Sequence, residues 1–312
     1  MRLASIALAS LFVCTCLAGT KPEVAGGSPV ENLQPKKLTP RPVPPKNIDW
    51  LRIQNAYAFL KKHNQTIQTT LVTTSLVSTY ACKDIEPVLM YTEELAKNYD
   101  DRMAKTGQWV GEIQQPPATE AEFRKKNYAR AFDLGQFHLD LSKSIPAKDL
   151  GWDPKERVAM NQQAYAFVLY SFAWQPIETM EAIHEIDATK DAKDIDDWFY
   201  LWHVLGYAMG LEEWVLPRNA TQAKNLAQDL RRVQYFPEGK TPKDVDLLMK
   251  NEMKYLYAQF IPAPKPEEKA KAGVRQILAQ FISFSPGLGE ALGLGKNPAK
   301  RLEELSADSP NN

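Results

Sequence analysis

The chain has 312 residues, 44% of them hydrophobic, with Lys+Arg and Asp+Glu equal at 38 each. That is enough for one large domain or two modest ones around a sizeable core. The even charge excludes the basic footprint that phosphate contacts demand, so no nucleic acid is expected as a partner.

Met1-Arg2 and the apolar, small-residue run from Leu3 to Ala18 have the charged start, short greasy centre and small-residue exit of a secretory signal peptide. The run is short for a membrane span. Cleavage after Ala18 places Cys16 and Ala18 at −3 and −1 and predicts an exported protein, whether periplasmic, secreted or held at the surface. Cys14 and Cys16 leave a lipid anchor open, although Val13 and Thr15 stand where small Ala or Gly is usual. After cleavage Cys82 is the sole thiol, so no internal disulfide can form.

Residues 19–47 are rich in Pro, Lys, Gly and Val without a period and include Arg41-Pro42-Val43-Pro44-Pro45, which predicts an extended tether. A helical domain is expected over 48–306, with a loose polar tail at 307–312. Asn47-Ile48-Asp49-Trp50 starts the first helix with Asn or Asp as cap. Gln65 to Tyr80 is rich in Thr and Val, which weakens a helix, yet its apolar positions suit a buried helix better than a strand.

Amphipathic segments follow from Asp84 to Lys97, Tyr99 to Ile113 and Glu120 to Leu141, the last two parted by Pro116-Pro117. Trp152-Asp153-Pro154 reads as a capped start for a helix from Lys155 to about Ala173, with a kink near Pro176. Asp196 to Met209 is aromatic on several sides, hence central. Pro217 to Thr221 caps a helix from Gln222 to Val233, and Thr241 to Phe260, Glu267 to Phe281 and a short Gly-rich end from Pro286 to Pro298 complete about ten helices. The fold class expected is all-α, a single large helical domain.

Four histidines are present, at 63, 138, 184 and 203. His63 and His184 sit among polar residues and read as solvated, while His203 reads as a buried histidine satisfied by hydrogen bonds. His138 is walled by Phe137, Leu139 and Leu141, a setting in which one imidazole suits haem, because the porphyrin supplies four of the iron's ligands. Arg102, Lys105 and Thr106 fall on one helical face; beside Asp100 and Asp101 this is also what an ordinary charged surface looks like.

Taken in order, Arg102-Met103-Ala104-Lys105-Thr106, His138, Trp152-Asp153, Asn161-Gln162, and Tyr200 to Gly210 with Leu216-Pro217 resemble the landmarks of the latex-clearing proteins, or rubber oxygenases, and of related fungal oxygenases that cleave prenyl side chains. The resemblance covers roughly 48–295. It implies a globin-like core and one haem b, with His138 as proximal iron ligand, Lys105 and Thr106 on the distal side, and Arg102 holding the pocket or a haem propionate. It also implies a carboxylate base, for which Glu86 is the candidate and Glu93 and Glu94 compete. The chain departs from that pattern at Ser142, where an Arg is common, at Gln163-Ala164 and at Val168.

The function so implied is an exported haem-dependent oxygenase that uses dioxygen to oxidise or cleave a C=C bond in an apolar small-molecule or polymer substrate such as an isoprenoid. A tunnel lined around Trp198, Phe199 and Trp202 would admit such a substrate. Two other readings stay open: a haem carrier or sensor ligated by His138 and Lys105, and a cofactor-free helical surface scaffold. The oligomeric state is not legible.

Overall fold

The Asp49 side chain accepts the Arg52 amide at 3.3 Å, which satisfies a donor that a helix N-terminus leaves unpaired. Helix α1 (Trp50–Lys62) begins there. The computed structural model describes residues 29–261 and 268–307; the expected signal peptide and residues 308–312 of the expected tail lie outside the described residues. Among the described residues the chain is all-α, with no strand and a single isolated bridge between Cys82 and Tyr235.

Helix α2 (residues 64–80) joins Asn64–Thr70, a π turn at Leu71–Ser75, and Leu76–Tyr80. Within it Thr69, Thr70 and Thr73 donate their hydroxyls to carbonyls four residues back, at 2.8 to 2.9 Å, which keeps the hydroxyls satisfied inside the helix. The segment expected over 84–97 divides into α3 (Glu86–Thr92) and α4 (Glu94–Lys97), because Glu93 turns left-handed at φ 55° between them. Next come α5 (Tyr99–Gln114) and α6, residues 120–144, which contains a second π turn at Arg124–Tyr128 and ends in the regular stretch Ala129–Ser144.

The helix expected from Lys155 starts instead at Gln162. Asp153 makes only a local turn, accepting the Lys155 amide at 2.9 Å, and Met160 sits at φ 48°. Asn161 then caps α7 (Gln162–Ala173) by accepting the Ala164 amide at 2.8 Å. Ahead of Pro176 the chain breaks at Trp174 and resumes as α8 (Gln175–Ala182). Asn219 caps α10 (Ala220–Gln234), which follows α9 (Ala192–Met209). The order closes with α11 (Asp244–Phe260), α12 (Glu268–Ser283), α13 (Leu288–Ala291) and α14 (Pro298–Ala307). No described helix is long and apolar enough to cross a membrane.

Helix α9 is the central element: Trp198, Phe199 and Trp202 are fully enclosed, α1 runs along it and α6 crosses its C-terminal end. That crossing is close because residue 135 is glycine; a Cβ there would collide with the Met209 backbone. A second apolar cluster gathers α11, α12 and α14 with Val77, Tyr80 and Met103.

Residues 29–47 are not a free tether. Val30, Leu33 and Leu38 are buried, and the extended chain hydrogen-bonds to the end of α9 through Thr39 N to Gly210 O and Arg41 N to Ala208 O, both at 3.0 Å. The prolines keep the segment extended, as read from sequence, but its interspersed apolar side chains give it a core to enter. Gln162 locks the strap down by donating to Gly210 O at 2.7 Å and Lys37 O at 3.1 Å. Asn161 donates to the buried Asp84 at 3.2 Å. The Asn161-Gln162 pair therefore acts on the strap and the start of α7, and neither residue lines the cavity described next.

Candidate functional site

Between α2, α3, α5, α6 and α7 lies a cavity of about 830 Å³, within the range of small-molecule and cofactor sites. The regular part of α6 presents His138, Leu134, Phe137 and Leu141 to it, as the i, i+3, i+4 and i+7 spacing of one helix face requires. From α5 come Arg102, Lys105, Thr106 and Trp109, again one face. The two stretches singled out in the sequence thus share one cavity.

His138 is 9% exposed. Its Nδ1 lies 2.9 Å from the Leu134 carbonyl and 3.0 Å from the Tyr165 hydroxyl. A carbonyl only accepts, so the Leu134 contact favours the tautomer with the ring proton on Nδ1, in which Nε2 has a free lone pair, whereas the Tyr165 hydroxyl is able to donate to Nδ1 instead. The Leu134 contact is the arrangement by which metal-binding histidines are commonly oriented. Burial, with Arg102 nearby as a smaller contribution, holds the imidazole pKa down at about 4, so the ring is neutral at ordinary pH.

The Arg102 guanidinium makes no hydrogen bond or ion pair among the described residues, and burial lowers its pKa while Glu94, on the same cavity wall, opposes that shift. A half-buried cation whose charged end has no direct partner is a place for an anion or for developing negative charge. Lys105 is exposed and also without an ion pair. The Thr106 hydroxyl donates to the Arg102 carbonyl at 2.9 Å, so it offers the cavity its oxygen lone pairs.

Glu86 is not at the cavity. It is buried beside the start of α11, and burial together with Asp244 pushes its pKa up to about 7. Glu93 pairs with Lys97 at the surface, at 2.5 Å, whereas Glu94 lines the cavity. The aromatic tunnel is also corrected: Trp202 lines the cavity, but Trp198 and Phe199 do not, and both are packed core. Its apolar wall instead includes Trp109, Phe172 and Val168.

His203 is buried, and its Nδ1 meets the Leu216 carbonyl at 2.9 Å outside the cavity. His63, expected to be solvated, is buried against Phe59 with Nδ1 2.6 Å from Glu185; the apolar face of α1 draws it in. Ser142, in the position of the resembled family's Arg, is buried with an unpartnered hydroxyl oxygen, so no cation is supplied from that turn.

Two residues of the cavity wall, and a buried cluster behind it, carry no signal that was read from the sequence. Tyr165, four positions after the Asn161 cap, has no sequence signature beyond that spacing. Met160 lines the cavity in a left-handed conformation. Behind the α5 wall, Tyr80 donates to Glu252 Oε2 at 3.0 Å and Tyr99 donates to the same oxygen, while Glu252 Oε1 has no partner. Burial pushes Glu252 up to about 7.

Searches against protein-family profiles, curated proteins and solved structures found no match to this chain.

Proposed function

We propose that the cavity receives haem b and that the chain is an exported oxygenase acting on an unsaturated, apolar substrate such as an isoprenoid. The observation that carries this reading is that His138, whose Nδ1 is held by the Leu134 carbonyl, lines one cavity of about 830 Å³ with the unpaired side chains of Arg102 and Lys105. Among the described residues no group of three or more His, Cys, Asp or Glu side chains assembles, so the lone imidazole suits a metal whose remaining ligands come with a macrocycle.

Haem bound there supplies the redox chemistry that activates dioxygen. His138 would be the residue that holds the haem iron, with its ring oriented by the Leu134 carbonyl. Arg102 and Lys105 bring positive charge to the α5 wall of the cavity, and the partial burial of Arg102 strengthens its effect on negative charge. Trp109, Leu134, Val168 and Phe172 keep that space dry and suit a hydrocarbon chain. Glu94 replaces Glu86 as the carboxylate able to take a proton from an allylic carbon, because it is the one that lines the cavity.

The test is an absorption spectrum of the purified chain with added haemin, followed by oxygen uptake with an unsaturated isoprenoid. A Soret band near 400 nm with product-forming oxygen uptake supports the reading. A Soret band without uptake favours the carrier or sensor reading, and no band under any loading condition leaves the scaffold.

A further inference from the structure

His138 Nδ1 has two neighbours on different helices, the Leu134 carbonyl at 2.9 Å from within α6 and the Tyr165 hydroxyl at 3.0 Å from α7. They ask different things of the ring. The carbonyl can only accept, so it stabilises the tautomer with the proton on Nδ1. The hydroxyl can donate, so it stabilises the other tautomer, in which Nδ1 accepts and the proton sits on Nε2. Only the first form turns a lone pair toward the cavity.

The competition is close because neither neighbour is free to leave. Leu134 is fixed one turn before His138 in the same helix. Tyr165 is fully enclosed, its ring packed against the imidazole with centroids 4.8 Å apart, and its hydroxyl has no other hydrogen-bond partner among the described residues. A buried hydroxyl that cannot donate to Nδ1 has no other acceptor among the described residues, and an unmet donor costs free energy. Each tautomer therefore satisfies one neighbour at the other's expense.

We propose that Tyr165 is a positioning residue that sets which ring nitrogen of His138 carries the proton, and hence how readily His138 is offered as a ligand. The proposal rests on the reading of His138 as the axial ligand. Tyr165 withdraws part of the population into the form that cannot bind a metal, and ligation at Nε2 returns the proton to Nδ1 and the Leu134 carbonyl. No net proton is gained or lost by the protein in that exchange when the ring starts neutral.

The experiment is nitrogen-15 NMR of the histidine rings in the haem-free chain near pH 7, wild type against Tyr165→Phe, followed by haemin titration of both. The expected result is a mixture of the two His138 tautomers in the wild type, only the Nδ1-protonated form in Tyr165→Phe, and haemin binding tightened on the order of fivefold, the worth of about one hydrogen bond. A wild type already wholly Nδ1-protonated overturns the proposal without need of the variant, as does a tautomer pattern that Tyr165→Phe leaves unchanged. If the pattern shifts as expected but neither protein yields a Soret band, control by Tyr165 stands and the haem reading falls.

Discussion

Gly135 rests directly on the backbone of Met209, with no room for a β-carbon between them. Because Gly135 lies three positions before His138 on the same helix, this contact sets how far the imidazole stands from α9 and so how wide the cavity is. Gly135→Ala forces α6 outward. The expected cost is about 1–3 kcal/mol of stability, read as a fall in Tm of several degrees, together with weakened haemin binding; an unchanged Tm would show that the crossing is not tight.

His138→Ala removes the cavity's only histidine among the described residues while leaving the helix it sits on intact. Haem binding should be lost with the far-ultraviolet circular dichroism of the wild type retained. His203→Ala should keep haem, since His203 bonds to the Leu216 carbonyl away from the cavity. The reverse pattern in the two absorption spectra would transfer the ligand role to His203.

Glu252 gives the fold a pH dependence of definite sign. Its pKa rises from 4.5 to about 7 on folding, so the folded state keeps a proton that the unfolded state has lost. Its contribution is fully present below about pH 4.5 and disappears as pH rises through 7. Glu252→Gln removes this term. Relative to wild type, the variant should gain up to about 3 kcal/mol between those pH values, measurable by urea denaturation at pH 4.5, 6 and 7.5. His138 contributes the opposite slope, losing stability as pH falls from 6.5 toward 4, which makes the difference between variant and wild type the quantity to follow.

A chain beginning at residue 48, the domain boundary the prolines suggest, lacks Val30, Leu33 and Leu38. Each buried apolar side chain is worth about 1.5–3 kcal/mol, and their sum approaches the whole stability of an ordinary domain. Such a truncation should be insoluble or open at moderate temperature, whereas a chain beginning at residue 29 should melt cooperatively at a higher temperature. Equal melting curves for the two would contradict the burial of the strap.

Helical period, caps at Asp49 and Asn219, and the break at Pro116-Pro117 were all legible because each depends on residues a few positions apart. The pairing of the Arg102 face with His138 could be read only as an ordered resemblance; its geometry comes from the α5 and α6 contact. What escaped reading depends on distant partners. Glu86 and Glu94 are equivalent in composition, and only the turn at Glu93 sends one to α11 and the other to the cavity. Proline density in 29–47 correctly indicates extended backbone and says nothing about what Val30 and Leu33 touch. Likewise, the strength of Asn161 as a cap becomes visible only when it outcompetes Asp153, with Asp84 holding its amide from the other side.

The strap has a kinetic meaning as well. Thr39 cannot meet Gly210 until nearly the whole length between them has been synthesised, and Gly210 admits that approach because it has no side chain and turns at φ 95°. Closing so long a loop is entropically costly before any contact rewards it. The helices can therefore form locally and early, while the last step to the native state waits for the two ends of this circuit to meet, and until then a hydrophobic seam beside α9 stays open to solvent.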